Sequence, residues 1–249
     1  MAIPDRNKKI VLFDVDGTLT PSRLLIKQEM VDLLTRLKEK VMIGFVGGSN
    51  IEKQKEQVGD MTCGFFDFSF PENGLTAYKG TSLISETSFL QNIGEEKYKH
   101  LVNFTLRYIA DLDIPIKRGT FVELRKGMIN VSPIGRNCTY EERLEFSRLD
   151  DEMGIRNRMV EEYKKVFEGY GLSFSIGGQI SIDIFPIGWD KTFCLRHLHQ
   201  YNFEEIHFFG DKTNEGGNDF EIFNHKEVIG HRVTSPEDTM RQVSELFGV

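Results

Sequence analysis

The chain has 249 residues, of which 39% are hydrophobic and 28% charged, and it carries a formal net charge of −7. These values are ordinary for a globular protein that buries a core, and the acidic balance argues against nucleic acid as a partner. No run of 18 apolar residues is present, so the sequence predicts no membrane span. Three scattered cysteines without CxxC spacing, and an N-terminus without an apolar signal segment, favour a cytoplasmic location.

The most informative segment lies near the start, at residues 10–20, which read IVLFDVDGTLT. Its apolar run, residues 10–13, is typical of a strand buried on both faces of a parallel sheet. The spacing of Asp14 and Asp16 lets both acids face one pocket at the carboxyl end of this strand, where open α/β sheets bind ligands. Two carboxylates so close favour a cation, and Mg²⁺ prefers carboxylate oxygen. One acid could then attack phosphorus while the other transfers a proton.

The next segments alternate between helix and strand. Apolar residues at helical spacing predict a helix near 26–40, and a strand over 41–46 and a polar helix near 51–58 follow. The phenylalanines of residues 65–70 are more typical of a buried sheet than of a nucleic-acid stacking face, because no basic residues interleave them. This order predicts the first part of an α/β core.

The pattern then changes to a mixture of helices and short antiparallel strands. We expect a helix over about 95–111 and a hairpin within 121–135. Thr139 and Glu142 have the spacing of a capping box, which predicts the start of a charged helical region that Gly154 breaks or bends.

A second pair of strands is predicted at 173–185, before the core pattern returns. The sequence therefore predicts an α/β protein whose core is interrupted by an inserted α+β cap domain. The expected core is residues 1–83 and 190–249, and the expected cap is residues 84–189.

The predicted cap contains a group of candidate ligand-binding residues. Arg125, Arg136 and Arg143 lie within 19 residues, and guanidinium groups are the best side chains for gripping a phosphate bidentately. Ser181 and Asp183 share one face of a half-polar strand and could bind sugar hydroxyls. Each feature alone is also compatible with a solvated surface, but together they favour a sugar-phosphate site.

The DxDGTLT block resembles the nucleophile motif of the haloacid dehalogenase (HAD) superfamily, whose phosphotransferases form an aspartyl-phosphate. Three later segments resemble the remaining motifs in the expected order: VGGSN with Ser49, GWDKTF with Lys191, and GDKTNEGGND with Asp211 and Asp219. The resemblance implies that Ser49 hydrogen-bonds the transferring phosphoryl group and that Lys191 balances negative charge. It also implies a Rossmann-like parallel-sheet core with an inserted cap.

Longer segments across core and cap, among them NVSPIGR, GGQIS and GWDKTFCLRH, are similar to eukaryotic-type phosphomannomutases. This resemblance covers almost the whole chain. It implies an isomerase that interconverts mannose 6-phosphate and mannose 1-phosphate and supplies GDP-mannose synthesis. It also implies a need for Mg²⁺, activation by a hexose 1,6-bisphosphate, and a homodimer formed through the cap.

Carried over by position, the resemblance makes Asp14 the nucleophile and Asp16 the general acid/base. The implied magnesium ligands are Asp14, Asp16 through its backbone carbonyl, Asp211 and Asp219. The implied substrate-binding residues are Arg23, Arg125, Arg136, Arg143, Ser181 and Asp183. One departure from the family pattern is His225, which stands where the family often has an acid.

Two alternatives remain open from the sequence. A capped HAD sugar-phosphate phosphatase would share the core motifs and release inorganic phosphate, although the NVSPIGR and GGQIS segments favour the mutase. A receiver-like signalling module would also carry acids at a strand end, but it would need neither Asp16 as acid/base nor a cap with an arginine cluster.

Overall fold

The computed structural model of the chain describes residues 6–22, 24–59 and 64–249, except for the side chain of Asn7. The chain divides into two units. The first combines the chain up to Glu86 with Gly188–Val249, and the second is Thr87–Ile187. The domain boundaries expected from the sequence, at 83/84 and 189/190, stay predictions.

Strands and helices alternate through most of the chain. The described residues form eleven strands: β1 (Lys9–Phe13), β2 (Met42–Val46), β3 (Phe68–Phe70), β4 (Thr76–Lys79), β5 (Ser82–Glu86), β6 (Val122–Leu124), β7 (Ile129–Val131), β8 (Leu172–Gly177), β9 (Ser181–Pro186), β10 (Glu205–Gly210) and β11 (Ile229–Arg232). They also form eight α-helices: α1 (Gln28–Lys38), α2 (Ile51–Val58), α3 (Phe89–Ile93), α4 (Glu95–Asp111), α5 (Tyr140–Met153), α6 (Ile155–Val166), α7 (Phe220–Phe223) and α8 (Pro236–Phe247). Short 3₁₀ helices lie at Arg6–Lys8, Pro71–Gly74, Lys191–His197 and His199–Tyr201.

The first unit contains a seven-stranded sheet with the order β11-β10-β1-β2-β3-β4-β5. The five strands from β11 to β3 run parallel, and β4 and β5 continue the sheet in antiparallel fashion. Strand β1 lies between β10 and β2, with Phe13 opposite Phe209 on one side and Phe45 on the other. The predicted α/β fold with a parallel sheet is confirmed.

Both faces of this sheet are covered, and β1 shows why its sequence is continuously apolar. Val11 and Phe13 pack in one buried cluster with residues of α1 and α8. Ile10 and Leu12 pack in a second cluster, with residues of the 3₁₀ helix Lys191–His197. Because alternate strand residues point to opposite faces, a strand covered on both sides needs apolar residues at every position.

Several elements of the first unit were not predicted from the sequence, among them the hairpin β4–β5 and strand β11. The hairpin β4–β5 turns at Gly80, whose φ of +57° is in the left-handed region that glycine adopts readily. Strand β11 reads IGHR and pairs with β10. It escaped prediction because a four-residue strand with glycine, histidine and arginine lacks an apolar pattern.

The second unit contains a four-stranded antiparallel sheet with the order β6-β7-β9-β8, together with α3 to α6. The two predicted strand pairs and the helix over 95–111 are confirmed. The Thr139–Glu142 capping box is present at the start of α5, and Gly154, with a φ of +62°, separates α5 from α6.

Membrane-spanning helices were searched for throughout the part of the chain that the structure describes. No helix in it combines the length and apolar character needed to cross a bilayer.

Candidate active site

The carboxyl ends of the parallel strands carry the predicted core residues. Asp14 follows β1, Gly47 begins the loop after β2, and Asp211 follows β10. The backbone N–H of Asp14 donates to the carbonyl of Phe209 at 2.9 Å, which extends the β1–β10 ladder by one residue. The sheet register therefore places Asp14, at the end of β1, beside the end of β10, which Asp211 follows.

Lys191 joins two of the acids. Its ammonium donates to Oδ1 of Asp14 and to Oδ1 of Asp219, the latter at 2.5 Å. The lysine side chain is 1% exposed, and those of Asp14 and Asp219 are 6% and 0% exposed. Lys191 begins a 3₁₀ helix that Asp190 caps, since the Asp190 carboxylate accepts from the backbone N–H of Thr192 at 2.8 Å. A local cap thus fixes the direction in which the lysine enters the core.

The electrostatics of this cluster reflect burial and an excess of acid. Burial, only partly offset by Lys191, raises the pKa of Asp14 to about 6. Burial opposes the charged form of Lys191, but Asp14 and Asp219 outweigh it and hold the pKa of the ammonium above its ordinary value. The lysine is therefore a fixed cation, while Asp14 is a carboxylate at neutral pH that is close to its protonation range.

Asp14, Asp211 and Asp219 form a candidate cation site. Each offers one carboxylate oxygen, and these oxygens lie within 4.8 Å of one another. Oδ1 of Asp211 is buried without a hydrogen-bond partner among the described residues, and burial raises the pKa of this acid. Three carboxylates beside one ammonium leave two negative charges. An all-oxygen donor set with that charge fits a hard divalent cation such as Mg²⁺.

Gly17 lies directly against this site. Its φ of +80° is in the left-handed region, and a Cβ atom there would lie 2.5 Å from Oδ2 of Asp211. Glycine is therefore required at this position both for the turn and for the close approach of the acid.

The carboxylate of Asp16 lies outside the group formed by the other acids. Its Oδ1 accepts a hydrogen bond from Nε2 of Gln57 at 2.8 Å, and Gln57 lies on α2. The side chains of Asp14 and Asp16 thus have different partners, one a buried ammonium and the other a half-buried amide. Such a difference suits two acids with different chemical roles.

Ser49 lies in the loop between β2 and α2. Its carbonyl accepts from the backbone N–H of Glu72 at 3.0 Å, and the backbone N–H of Gly47, two residues earlier in the loop, donates to the carbonyl of Phe70 at 3.1 Å. Asn50 caps α2 by accepting from the backbone N–H of Lys53. Within the described residues the hydroxyl of the half-buried Ser49 makes no hydrogen bond of its own.

In the second unit the structure connects three of the predicted substrate residues. Glu123 Oε2 accepts from Nε and Nη2 of Arg125, at 2.9 and 2.6 Å, and lies 3.2 Å from Nε of Arg136. Nη1 of Arg136 donates to Oδ1 of Asn130 at 2.6 Å. The amide of Asn130 donates in turn to Oδ1 of Asp183 at 2.6 Å. These five residues form one network, which we call the cap network.

The remaining predicted residues have other positions. Arg143 lies in the first turn of α5, and within the described residues its side chain has no hydrogen bond or ion pair. Ser181 begins β9, where its carbonyl accepts from the buried Arg156, which also pairs with Asp150 at 2.7 Å. Arg23 lies outside the described residues.

Four residues that contact the predicted site residues were missed by the sequence reasoning: Gln57, Glu123, Asn130 and Arg156. Strand alternation offered a signal for Glu123, because it stands two residues before Arg125 in the predicted hairpin. Gln57 and Arg156 offered none, since polar residues in a charged helix are usually solvated.

Family comparison places the chain among known proteins. Residues 30–249 match the family model described as eukaryotic phosphomannomutase. The chain is 56% identical over 245 residues to a phosphomannomutase of Schizosaccharomyces pombe, covering 97% of this chain and 95% of that protein. It is 55% identical over 248 residues to a phosphomannomutase of Saccharomyces cerevisiae, covering 100% and 98%.

Similar solved structures have far lower sequence identity. Trehalose-6-phosphate phosphatase of Aspergillus fumigatus has a TM-score of 0.62 at 15% identity and covers 98% of this chain and 94% of its own. A haloacid dehalogenase-like hydrolase of Bacteroides thetaiotaomicron has a TM-score of 0.59 at 14% identity and covers 96% and 99%. At these identities the likeness supports the fold alone.

Proposed function

Since this chain belongs to the eukaryotic phosphomannomutase family, we propose that it interconverts mannose 6-phosphate and mannose 1-phosphate through an aspartyl-phosphate. The chain is an enzyme, a phosphotransferase of the isomerase class. The observation that carries the proposed mechanism is the buried contact of Lys191 with Asp14 and Asp219 at the carboxyl edge of the parallel sheet.

Asp14 is the proposed nucleophile. Its carboxylate attacks the phosphorus of a hexose 1,6-bisphosphate, forming an Asp–O–P bond while the bond from phosphorus to the sugar oxygen breaks. Lys191 offsets the charge between the carboxylate and the incoming phosphate, which would otherwise repel each other. Ser49 is the proposed hydrogen-bond donor to the transferring phosphoryl group.

Asp16 is the proposed general acid/base. It gives a proton to the leaving sugar oxygen and later removes one from the hydroxyl that accepts the phosphoryl group. Its hydrogen bond to Gln57, 2.8 Å long, supports this role because it holds the carboxyl group in one direction.

Mg²⁺ is the proposed metal ion. Asp14, Asp211 and Asp219 would hold it, together with the backbone carbonyl of Asp16. Oδ1 of Asp211, which is buried and has no hydrogen-bond partner among the described residues, supports this assignment. When bound, the ion would neutralise charge on the phosphoryl oxygens during transfer.

The second unit is the proposed holder of the sugar and of the phosphate that does not react. Arg125, Arg136 and Arg143 would bind that phosphate, while Ser181 and Asp183 would bind sugar hydroxyls. An arginine cluster recognises phosphate geometry and tolerates either end of the sugar. This suits a mutase, whose bisphosphate intermediate must present each phosphate in turn. Arg23 is proposed as a further substrate residue from its motif position alone.

The wider setting is also part of the proposal. The enzyme would act in the cytoplasm as a homodimer formed through the cap, and its mannose 1-phosphate would supply GDP-mannose synthesis. A hexose 1,6-bisphosphate would act as activator because it phosphorylates Asp14 and starts the cycle.

Phosphorus NMR tests the reaction directly. Purified protein is mixed with Mg²⁺, mannose 1-phosphate and a catalytic amount of glucose 1,6-bisphosphate. Growth of the mannose 6-phosphate signal that depends on the bisphosphate supports the mutase. Growth of inorganic phosphate alone would refute the mutase and indicate a phosphatase. Asp14→Asn serves as the inactive control.

A further inference from the structure

Glu123 lies at the centre of the proposed phosphate-binding site of the second unit. Three nitrogen atoms from two arginines converge on a single carboxylate oxygen, Oε2 of Glu123, at 2.6 to 3.2 Å from Arg125 and Arg136. The side chains of all three residues are between 33% and 41% exposed, so solvent and ligands can reach them. Convergent guanidinium donors around one anionic oxygen are the arrangement with which proteins bind a phosphate oxygen.

The sheet register places Glu123 in the same row as the sugar-binding candidates. Glu123 is opposite Asn130 across β6 and β7, and Asn130 is opposite Asp183 across β7 and β9. Directly opposite residues of antiparallel strands share a face. The carboxylate is therefore held by its strand beside the proposed site, rather than lying there through the mobility of a loop.

Arg136 does not depend on Glu123 for its orientation. Its Nη1 donates to Asn130 at 2.6 Å, and Asn130 is 4% exposed and bonded to Asp183. Removing the Glu123 carboxylate leaves this second support in place. The loss of Glu123 therefore frees Nε of Arg136 without removing the Asn130 contact that orients this arginine.

We propose that Glu123 is an internal competitor for the phosphate, one that sets how tightly the second unit holds its ligand. This inference rests on the proposed function, in which Arg125 and Arg136 bind the non-reacting phosphate. With no ligand bound, the carboxylate neutralises part of the arginine charge. An incoming phosphate must displace it or accept its repulsion, and the carboxylate pairs with the arginines again when the phosphate leaves.

Such a competitor is useful to a mutase in particular. The bisphosphate intermediate has to leave the arginines and return with its ends exchanged, so a very tight grip would slow the cycle. A carboxylate that takes over the arginine donors lowers the cost of that release. Glu123 thus lowers the affinity for the ligand and raises the turnover rate.

Glu123→Gln tests this, because it keeps the shape of the side chain and removes its charge. Titration calorimetry with mannose 1-phosphate, in buffer with EDTA, should show binding tighter by about fivefold, the size expected for removing one unit charge roughly 4–5 Å from an anion in water. Mutase kcat in Mg²⁺ should fall in the same variant. Glu161→Gln is the matched control, since Glu161 forms an exposed ion pair with Lys164 on α6 and its removal changes the net charge equally.

The outcomes separate this inference from the proposed function. If Glu123→Gln leaves binding unchanged or weakens it, Glu123 is a support for the arginines and the competitor is refuted. Arg136→Gln reports on the site itself and should weaken mannose 1-phosphate binding. If Arg136→Gln has no effect, the proposed phosphate site is wrong. If Arg136→Gln weakens binding while Glu123→Gln does not tighten binding, only the inference about Glu123 is refuted.

Discussion

Replacement of Lys191 by methionine is the most direct test of how the core cluster is balanced. Methionine is similar in length to the lysine stem, so the change removes the charge with little change in packing. The variant leaves three carboxylates that are close enough to share one cation, with no ammonium group between them.

The expected cost follows from burial. Lys191 is 1% exposed and its partners Asp14 and Asp219 are 6% and 0% exposed, so solvent cannot screen these two carboxylates once the ammonium is removed. Removing one partner of a buried ion pair costs about 3–5 kcal/mol. At about 2–4 °C per kcal/mol for a chain of this size, the melting temperature should fall by roughly 6–20 °C.

The fluorescence of Trp189 provides the assay. It is the single tryptophan of the chain, 7% exposed and two residues from Lys191, so its signal reports unfolding of the first unit. Thermal melts are recorded in EDTA and again in Mg²⁺. The ion should stabilise Lys191→Met more than the native chain, because it supplies the positive charge that the variant lacks.

The matched control is Lys8→Met. Lys8 pairs with Glu204 at 2.5 Å, but these side chains are 53% and 58% exposed, and such pairs contribute about 0–1 kcal/mol. If Lys191→Met and Lys8→Met melt within about 2 °C of one another in EDTA, the argument from burial is refuted.

Three further predictions concern other positions. Gly17→Ala should abolish most mutase activity in the NMR assay, because its φ of +80° and the Cβ position 2.5 Å from Asp211 both oppose a side chain. Gln54→Leu should raise the free energy of unfolding in urea by about 1–3 kcal/mol, since both amide atoms are buried without a partner among the described residues. Burial and the neighbouring His207 lower the pKa of His231 from 6.5 to about 4, so stability should be complete above pH 6.5 and decline towards pH 4. His231→Gln should remove about 1–2 kcal/mol of that decline, allowing for solvent screening of a half-buried ring.

Each of these has a control and a contradicting result. Gly80→Ala also has a positive φ but meets nothing within 4 Å, so it should keep activity; an active Gly17→Ala would contradict the first prediction. Gln54→Glu should be strongly destabilising, and the second prediction is wrong if Gln54→Leu is destabilising as well. If the free energy of unfolding of His231→Gln falls in parallel with that of the native chain between pH 6.5 and 4, another group causes the decline.

The sequence predicted the features that depend on local pattern. Strand β1 was predicted because a strand covered on both faces must be apolar throughout, and the Thr139 capping box because both of its partners lie within one helical turn. Strand β11 was not predicted, since its stability comes from the ladder with β10 rather than from its own residues.

The partners of the site residues were beyond sequence reasoning for a different reason. Asp16 is bonded to Gln57, 41 residues away on a helix whose polar residues looked solvated. The arginine cluster was predicted as a phosphate-binding group, but no pattern in the sequence indicated that Arg125 and Arg136 share Glu123. Contacts of this kind depend on the packing of elements against one another, which composition and periodicity do not record.

The order of the sheet has a consequence for how the chain folds during synthesis. Strand β1 is completed early, yet one of its two neighbours, β10, is among the last strands to leave the ribosome. Lys191 and Asp14 are separated by 177 residues, so the cluster has a high contact order and forms late. Until then the apolar edge of β1 has only one neighbour and resembles an open sheet edge. A nascent chain that stops within the second unit therefore contains Asp14 but lacks Lys191, Asp211 and Asp219. The candidate site can form only after residues 188–219 have been synthesised.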